Sequence, residues 1–244
     1  MAPVVPPGPP PVVDNGPVVT GTSPSGAQCI GFAKETQGPY PADGSNTARG
    51  STSNVLDLTG IVRSDIRSDI GAGTPVAGTV LDLALHLVDV NASCAPLAGH
   101  AVYLWHCDAA GHYSLYDEPG HTWLRGLQLA DANGIVRFRT IVPGCYMGRY
   151  PHIHFEVFRD RAAASAGKYA KLTSQLAIPV ETCDDVYAQS AYASSRGTWQ
   201  RFKDIETDNV FGDNGAERME AMTLQITASS ERILTGSATV GLVV

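Results

Sequence analysis

Residues 143–158 read PGCYMGRYPHIHFEVF, and this stretch indicates how the rest of the chain folds. From position 152 to position 158 polar and apolar side chains alternate, which is the period of a β-strand with one buried face. His152, His154 and Glu156 therefore lie on the same side of the strand. Two imidazoles at this spacing can reach one metal ion. A polar strand face without any ligand gives the same pattern, so the histidine pair alone leaves both interpretations open.

Two tyrosines precede that strand in turns. Tyr146 follows the Pro-Gly turn at the start of the stretch, and Tyr113 lies in a glycine-containing loop after the apolar segment 101–105. A phenol, with an ordinary pKa of about 10, is a poor ligand for most divalent ions, but beside a trivalent cation it ionises to a hard anionic oxygen. Two phenolates combined with two imidazoles favour ferric iron over zinc or copper.

Four motifs follow one another along the chain. They are Trp105 to Tyr113 (W-x-x-D-x-x-G-x-Y), Arg125-Gly126, Thr140 to Tyr146 (T-I-x-P-G-x-Y) and Arg149 to Phe155 (R-x-x-H-I-H-F). The series resembles the intradiol ring-cleavage dioxygenases, which open catechol-type rings between the two hydroxylated carbons. The likeness spans roughly Gln37 to Pro179, and Gly38-Pro39-Tyr40 is similar to a motif near the start of that catalytic domain. The chain is most similar to the secreted bacterial branch, whose members carry extra cysteines and lack a helical dimerisation segment.

The resemblance implies an iron site and a reaction. It implies one Fe3+ per chain, held by two tyrosines and two histidines: Tyr113, Tyr146, His152 and His154. Catechol would bind through both oxygens and lose two protons, one of them to Tyr146 as that ligand departs. The ion would act mainly as a Lewis acid, and attack by dioxygen would lead to a muconate-type diacid.

The family also implies roles for residues around the iron. Arg149 would stabilise negative charge on the ring as it is attacked, and Gln175 matches a glutamine near the dioxygen side. The predicted catalytic set is therefore Tyr146, Arg149 and Gln175. Tyr40 corresponds to a residue beside the substrate pocket. No basic residue near the motifs other than Arg149 indicates a carboxylated substrate, so a small neutral catechol, alkylated or lignin-derived, is favoured.

Other residues of the first tyrosine's loop carry weaker predictions. We expect Trp105 to be a core residue. His106, His112 and His121 lie in or near that loop, and either a position facing the pocket or a position facing solvent fits their sequence context.

Alternating apolar residues elsewhere predict an all-β fold. Residues 81–87 and 136–140 alternate as strands that lie on a core, and several short strands at this spacing indicate a single-domain β-sandwich with long loops. Residues 182–185 resemble a capped helix start, so one or two short helices are expected, the first running to about Ser194. The segment from Thr223 is expected to form a closing hairpin.

The chain divides into a predicted tether and a catalytic domain. Residues 1–27 are rich in proline and glycine without periodicity, which predicts a disordered tether before a domain at 28–244. The start of the chain lacks the basic and apolar regions of a signal peptide, so we expect that none is present in this sequence. The five cysteines are Cys29, Cys94, Cys107, Cys145 and Cys183. They are expected to form two disulfides and leave one thiol, or else to stay reduced and buried. With the resemblance, these features predict a secreted, extracellular protein whose leader has been removed.

Charge and hydropathy exclude some partners. The formal charge is −7 without a Lys/Arg cluster, which argues against nucleic acid or an anionic membrane. No apolar run approaches the length of about 18 residues that a membrane span needs. The expected partners are a small catechol-type aromatic substrate and dioxygen, and the chain is expected to be a monomer or a weak homodimer.

Two other functions remain possible on sequence alone. A zinc or copper enzyme can carry His-x-His on a strand, but it needs further histidine ligands and has no use for Tyr113 or Tyr146. An extracellular β-sandwich that binds carbohydrate or another ligand without catalysis is the second alternative. Colour discriminates between them, because tyrosinate-to-iron charge transfer should make the protein wine-red, whereas a zinc protein or an empty sandwich should be colourless.

Overall fold

The computed structural model describes residues 15–48, 51–71, 73–228 and 233–244. Its strands, in chain order, are β1 (Thr20–Thr22), β2 (Gln28–Ile30), β3 (Asp43–Ala48), β4 (Ser51–Asn54), β5 (Val80–Asp89), β6 (Ala95–Pro96), β7 (Ala101–Trp105), β8 (Arg125–Leu129), β9 (Ile135–Ile141), β10 (His152–Phe158), β11 (Leu172–Ala177), β12 (Gln225–Ala228) and β13 (Leu234–Leu242). The α-helices are α1 (Val180–Val186), α2 (Ala193–Trp199) and α3 (Ala216–Met222). Short 3-10 helices lie at Val55–Asp57, Gly167–Tyr169, Ser190–Tyr192 and Ile205–Thr207. The prediction that strands dominate the fold is confirmed.

The strands form two larger sheets and two short hairpins. One sheet has four antiparallel strands in the order β11-β10-β7-β8. The other has the order β12-β13-β5-β6, with β9 also paired to β5. In this second sheet β13 runs parallel to β5, with Leu234 opposite Leu81 and Leu242 opposite Asp89. The antiparallel pair of β12 and β13 confirms the predicted closing hairpin.

Apolar residues from both larger sheets share one hydrophobic core. Every second residue of β5 from Leu81 to Leu87 is buried there, and so are Ile153, Phe155 and Val157 of β10. Burial of each such side chain stabilises the fold by about 1.5–3 kcal/mol. The strand alternation read from the sequence therefore identifies the faces of β5 and β10 that meet in this core.

The polar face of β10 is buried as well. His152 and His154 are 2% and 1% exposed, and Glu156 is fully buried. A second hydrophobic cluster, which includes Tyr103 and Trp105 of the neighbouring strand β7, lies on this side of the sheet. The histidine pair therefore does not lie on a solvent-exposed polar face. Two imidazoles at such a depth need partners, because burial of an unpaired polar group is costly.

The helical region differs from the prediction. We expected a helix to begin near residue 182 and run to Ser194, and one or two helices in total. Instead α1 begins directly after Pro179 and ends at Val186, and the described residues contain three short α-helices. A proline is well tolerated at a helix start because it lacks the N–H that would be unpaired there. Tyr187 caps the end of this helix, and its hydroxyl donates to the carbonyl oxygen of Pro143.

The predicted tether is only partly within the structure. Residues 1–14 lie outside the described residues. Within 15–27, β1 pairs with β2, and the Asn15 side chain accepts a hydrogen bond from the backbone N–H of Lys34 at 2.6 Å. This portion is therefore attached to the strands that follow. In the described part of the chain, no helix has the length and apolar character required to cross a membrane.

The cysteines form one disulfide instead of the two predicted. Cys29 and Cys94 are bonded, across a sequence separation of 65 residues. The other three thiols, of Cys107, Cys145 and Cys183, are buried and free. Each of them donates to a different carbonyl oxygen, those of Gly144, Arg149 and Ile178. They satisfy their hydrogen bonding locally, which is how structural buried thiols behave.

Candidate metal centre

β10 brings two histidines to one point in the interior. The Nε2 atoms of His152 and His154 are 3.0 Å apart, and both rings are buried. The Nδ1 atom of His152 is hydrogen-bonded to the backbone carbonyl oxygen of Tyr150. That bond requires the proton on Nδ1, so the Nε2 lone pair is free to bind a metal. The Nδ1 atom of His154 has no hydrogen-bond partner among the described residues.

Two glycine-containing loops bring the tyrosines to the same point. Tyr113 lies between β7 and β8, and Tyr146 lies between β9 and β10. Gly111 has a φ of +93°, and a Cβ at this position would lie 3.2 Å from the Cys145 carbonyl oxygen, so the loops pack backbone against backbone. The hydroxyl oxygens of Tyr113 and Tyr146 are 3.4 Å apart. The Tyr146 hydroxyl is 3.1 Å from Nε2 of His152.

Four donor atoms therefore converge, with successive separations of 3.4, 3.1 and 3.0 Å. Atoms that bind one ion at about 2.0–2.2 Å are themselves about 3 Å apart, so this arrangement fits a single metal ion. Within the described ranges, no group of three or more His, Cys, Asp or Glu side chains is arranged so that it could hold a metal ion. A multidentate site thus requires the tyrosine oxygens. Phenol oxygens with imidazole nitrogens suit a hard to borderline ion such as Fe3+.

The electrostatics of the four side chains follow from burial. Burial lowers the pKa of His152 to about 3, and burial together with the nearby His152 lowers that of His154 well below its ordinary value. Both imidazoles are therefore neutral at pH 7, as metal ligands must be. Burial also raises the pKa of Tyr113 and of Tyr146, while the charge of Arg149 opposes this rise. Only a cation between the two phenols would bring both to the ionised form near neutral pH.

Arg149 and Gln175 lie beside these donors. Gln175 sits directly opposite His154 in the pairing of β10 with β11, and it is fully buried. Its amide oxygen accepts a hydrogen bond of 2.6 Å from Nη2 of Arg149, and its amide nitrogen donates to the Thr36 carbonyl oxygen at 2.9 Å. Of the predicted catalytic side chains, Tyr146 is thus one of the four donors, and Arg149 and Gln175 lie next to them.

A comparison with protein families identifies the chain. A family model described as "Dioxygenase" matches residues 56–195, which is more than half of the 244 residues. This range contains Tyr113, Tyr146 and the His152–His154 pair. The chain belongs to the intradiol ring-cleavage dioxygenase family. The resemblance of the sequence motifs to this family is therefore confirmed, and the assignment to its secreted bacterial branch stays a prediction.

Individual relatives support this membership. A catechol 1,2-dioxygenase of Acinetobacter baylyi is 29% identical over 162 residues, which are 58% of this chain and 47% of the relative. The chain thus spans about half the length of this curated relative. An intradiol ring-cleavage dioxygenase structure from Tetranychus urticae, 25% identical, has a TM-score of 0.64 over 87% of this chain and 94% of that one. A 3-chlorocatechol 1,2-dioxygenase from Rhodococcus opacus 1CP, 20% identical with a TM-score of 0.52 over 86% and 72% of the two chains, shares the fold.

In this dioxygenase-family chain three residues pack directly around the donors. Trp105, which we expected to be a core residue, is fully buried but also stacks on His154, with ring centroids 5.0 Å apart and planes 4° apart. Gly38, with a φ of +70°, approaches the same ring, because a Cβ there would lie 3.0 Å from Cε1 of His154. The ring of Tyr40 lies 4.8 Å from that of Tyr113. The predicted pocket residue is therefore next to the site.

The other three histidines in or near the loop of Tyr113 lie apart from the four donor atoms. His106 is buried, and its ring nitrogens bond to the Cys107 carbonyl oxygen and to the Thr140 hydroxyl. Burial lowers its pKa to about 4, so it is a neutral residue with both nitrogens engaged. His112 and His121 are exposed on the surface, where His121 bonds to Asp69. None of the three joins the four donor atoms.

One carboxylate near the site had no counterpart in the sequence predictions. Asp208 is 5% exposed and forms a buried ion pair with Arg149. The motifs contain no signal for it, because it lies in an irregular segment beyond residue 195 and reaches Arg149 only through the fold.

Proposed function

We propose that this chain is a non-haem ferric intradiol dioxygenase that opens catechol-type rings with dioxygen and gives muconate-type diacids. The proposal rests on one observation above all: two phenol oxygens and two imidazole nitrogens follow one another at successive separations of 3.4, 3.1 and 3.0 Å in a buried site. The proposed ligands are Tyr113, Tyr146, His152 and His154, with one Fe3+ per chain. When bound, the ion would supply Lewis-acid chemistry that draws electron density from the ring.

The residues around the ligands have complementary proposed roles. Tyr146, half-buried and nearer to solvent than Tyr113, is the proposed acceptor of a catechol proton. Arg149 places a fixed positive charge near all four donor side chains, where it would stabilise negative charge on the ring. Gln175 holds that guanidinium group, and the Tyr40 ring forms a wall beside Tyr113. Burial of the donors excludes bulk water from the reacting atoms.

We further propose that the protein is exported. The Cys29–Cys94 disulfide supports this, because disulfides persist in oxidising compartments and are rare in the cytosol. The three remaining thiols are buried and would be protected there.

The direct test is to load the purified protein with iron and to measure metal content, visible absorption and oxygen uptake. We expect about one iron per chain, a wine-red colour, and oxygen consumption with catechol that yields a diacid. His152→Ala should lose most of the bound iron. Tyr146→Phe should change the visible band and reduce turnover by about 100-fold or more, because it removes both a ligand and the proton acceptor.

A matched control is His121→Ala, since the His121 side chain is exposed and its ring is hydrogen-bonded to Asp69 on the surface. It should keep iron content, colour and turnover. The proposal fails if the protein binds zinc and stays colourless, or if His152→Ala and Tyr146→Phe keep both iron content and turnover. In that case the non-catalytic binding protein or the zinc enzyme becomes the better explanation.

A further inference from the structure

A serine of helix α2 bonds to both loops that carry the tyrosines. Ser195 is fully buried. Its hydroxyl donates to the carbonyl oxygen of Ala109 at 2.7 Å and accepts from the backbone N–H of Cys145 at 2.9 Å. Because a carbonyl oxygen only accepts and an N–H only donates, the direction of both hydrogen bonds is fixed, and one hydroxyl makes both at once. Ala109 lies four residues before Tyr113, and Cys145 directly precedes Tyr146.

The two loops also meet through their backbones, at the glycine of the Pro-Gly turn. The N–H of Gly144 donates to the carbonyl oxygen of Asp108 at 2.9 Å. A Cβ at Gly144 would lie 2.6 Å from this oxygen and 2.6 Å from Oγ of Ser195, so any side chain there would force one of these groups to move. The φ of Gly144 is not in the positive region. The glycine is therefore required for space, and not for an unusual backbone conformation.

Helix α2 is itself held in the interior of the protein. Trp199 of this helix is 2% exposed and packs on the rings of Tyr150 and Tyr187. Arg196 of the same helix donates from Nε to the carbonyl oxygen of Tyr187 at 2.8 Å. Because the helix is packed on the body of the protein, Ser195 gives the two loops a common point of attachment.

We propose that Ser195 is a positioning residue that holds the loops of Tyr113 and Tyr146 against each other and thereby sets the spacing of the two phenol oxygens. Those oxygens are 3.4 Å apart, a separation that one metal ion can span. Without the hydroxyl, a buried N–H and a buried carbonyl oxygen would both lose a partner, which is costly enough that the loops would shift. The link between the loops follows from the hydrogen bonds alone, whereas its effect on iron rests on the proposed function.

The first experiment measures the link itself, by amide hydrogen exchange in the metal-free protein. In Ser195→Ala we expect the amides of both loop segments, 108–113 and 144–146, to exchange about 10-fold or more faster than in the wild type, because local opening no longer breaks the shared hydrogen bonds. Ser194→Ala is the control, since Ser194 is the exposed neighbour in the same helix. It should leave the exchange of both segments unchanged.

The second experiment measures affinity for Fe3+ by competition with a chelator, followed by visible absorption. Ser195→Ala should bind Fe3+ about 10-fold or more weakly, which is typical for the loss of a group that orients metal ligands. Tyr192→Phe is the comparison for general destabilisation. It also removes a buried hydroxyl, one that donates to the Val142 carbonyl oxygen and accepts from the N–H of Thr79. Its iron affinity should stay close to that of the wild type.

The outcomes separate this inference from the proposed function. Unchanged exchange in both segments of Ser195→Ala, or faster exchange in only one of them, overturns the link. Faster exchange in both with unchanged iron affinity, or an equal loss of affinity in Tyr192→Phe, overturns the role in spacing the phenols and leaves the proposed function standing. If the wild type binds no iron, the proposed function and the role in spacing both fail, and hydrogen exchange still decides whether Ser195 links the loops. Should Ser195→Ala fail to fold, Ser195→Cys takes its place with the same outcomes, because a thiol is only a weak donor and acceptor.

Discussion

The carboxyl group of Glu35 is buried close enough to Arg149 and Asp208 for their charges to act on it. It is 7% exposed, and its Oε1 atom accepts a hydrogen bond from the Asn214 amide at 2.9 Å. Burial raises its pKa to about 7, with Asp213 and Asp208 acting in the same direction and Asn214 and Arg149 opposing them. Near neutral pH this group is therefore divided between its protonated and ionised forms, which is unusual for a glutamate.

Glu35 should make stability depend on pH. Its folded-state pKa of about 7 lies above its ordinary value of 4.5, so its stabilising contribution is complete below pH 4.5 and is lost as the pH rises through 7. Between pH 5 and pH 8.5 we expect the wild type to lose about 2 kcal/mol of unfolding free energy relative to Glu35→Gln, once partial solvent screening is allowed for. Urea unfolding at the two pH values measures this difference.

Glu181→Gln is the control, because Glu181 is exposed at the start of α1. It should follow the wild type at both pH values. If Glu35→Gln also shows the same pH dependence as the wild type, the carboxyl group of Glu35 is not the source.

The sequence identifies the four candidate metal ligands but not the buried carboxylates that lie near them. Each of the four donors lies in a local motif, so its chemistry can be read within a few residues. Asp208 and Glu35 depend on contacts with Tyr150 and Asn214, which lie 58 and 179 residues away in the chain. No local pattern encodes such distances, and a buried carboxylate is indistinguishable from a surface one until the fold is known.

Strand β10 shows how one element can position a proposed metal ligand without a hydrogen bond. The register places His154 between Trp105 on β7 and Gln175 on β11. Its Nδ1 atom has no partner in the described part of the chain, and the ring is held instead by the parallel face of Trp105 and by the approach of Gly38. Tyr103 in turn stacks on Trp105, with centroids 4.9 Å apart. Packing therefore fixes the orientation of this ring, as a hydrogen-bonded carboxylate or carbonyl group does for the histidine ligands of many metal sites.

Removal of the Trp105 ring, which stacks on His154, should weaken metal binding. In Trp105→Leu we expect the affinity for Fe3+ to fall by about 10-fold or more, which is typical for the loss of a group that orients a metal ligand. The indole N–H of Trp105 has no partner among the described residues, so its loss breaks no hydrogen bond. Competition with a chelator, followed by visible absorption, measures the affinity.

Trp199→Leu provides the comparison, because Trp199 is a buried tryptophan of α2 that packs on Tyr150 and Tyr187. Both variants should lose about 2 kcal/mol or more of stability through lost packing. Only Trp105→Leu should lose iron affinity. Equal losses of affinity in the two variants would mean that general destabilisation, and not ligand orientation, is responsible.

The elements themselves were predictable to different degrees. Alternation identified β5, β9 and β10 because each has one face in the shared core. The short helices were misplaced, since α1 starts at Val180 and α3 had no clear signal. Helices of seven residues have little stability of their own and form where tertiary contacts hold them. The parallel pairing of β13 with β5 joins segments about 150 residues apart, which no local rule specifies.

Across the whole molecule, one covalent link ties the N-terminal strands to the larger sheets. The Cys29–Cys94 disulfide joins β2 to the turn after β5. With Val88 and Val90 the two cysteines form a small apolar cluster separate from both larger ones. Five cysteines alone could not specify this pairing, because a disulfide depends on which chain segments the fold brings together. The free thiols, in contrast, lie inside the body of the protein.

The position of the disulfide predicts that it stabilises the fold without contributing to the proposed iron site. The double variant Cys29→Ser/Cys94→Ser should lose about 2–4 kcal/mol of unfolding free energy, because the disulfide closes a long loop and so restricts the unfolded chain. Its iron affinity and visible band should stay those of the wild type, since the four donors belong to other elements. Urea unfolding with and without a reducing agent measures the effect: reduction should lower the stability of the wild type to that of the double variant and leave the double variant unchanged. If reduction affects the double variant as much as the wild type, the effect does not come from the Cys29–Cys94 bond, and the disulfide is not the main covalent support of the fold.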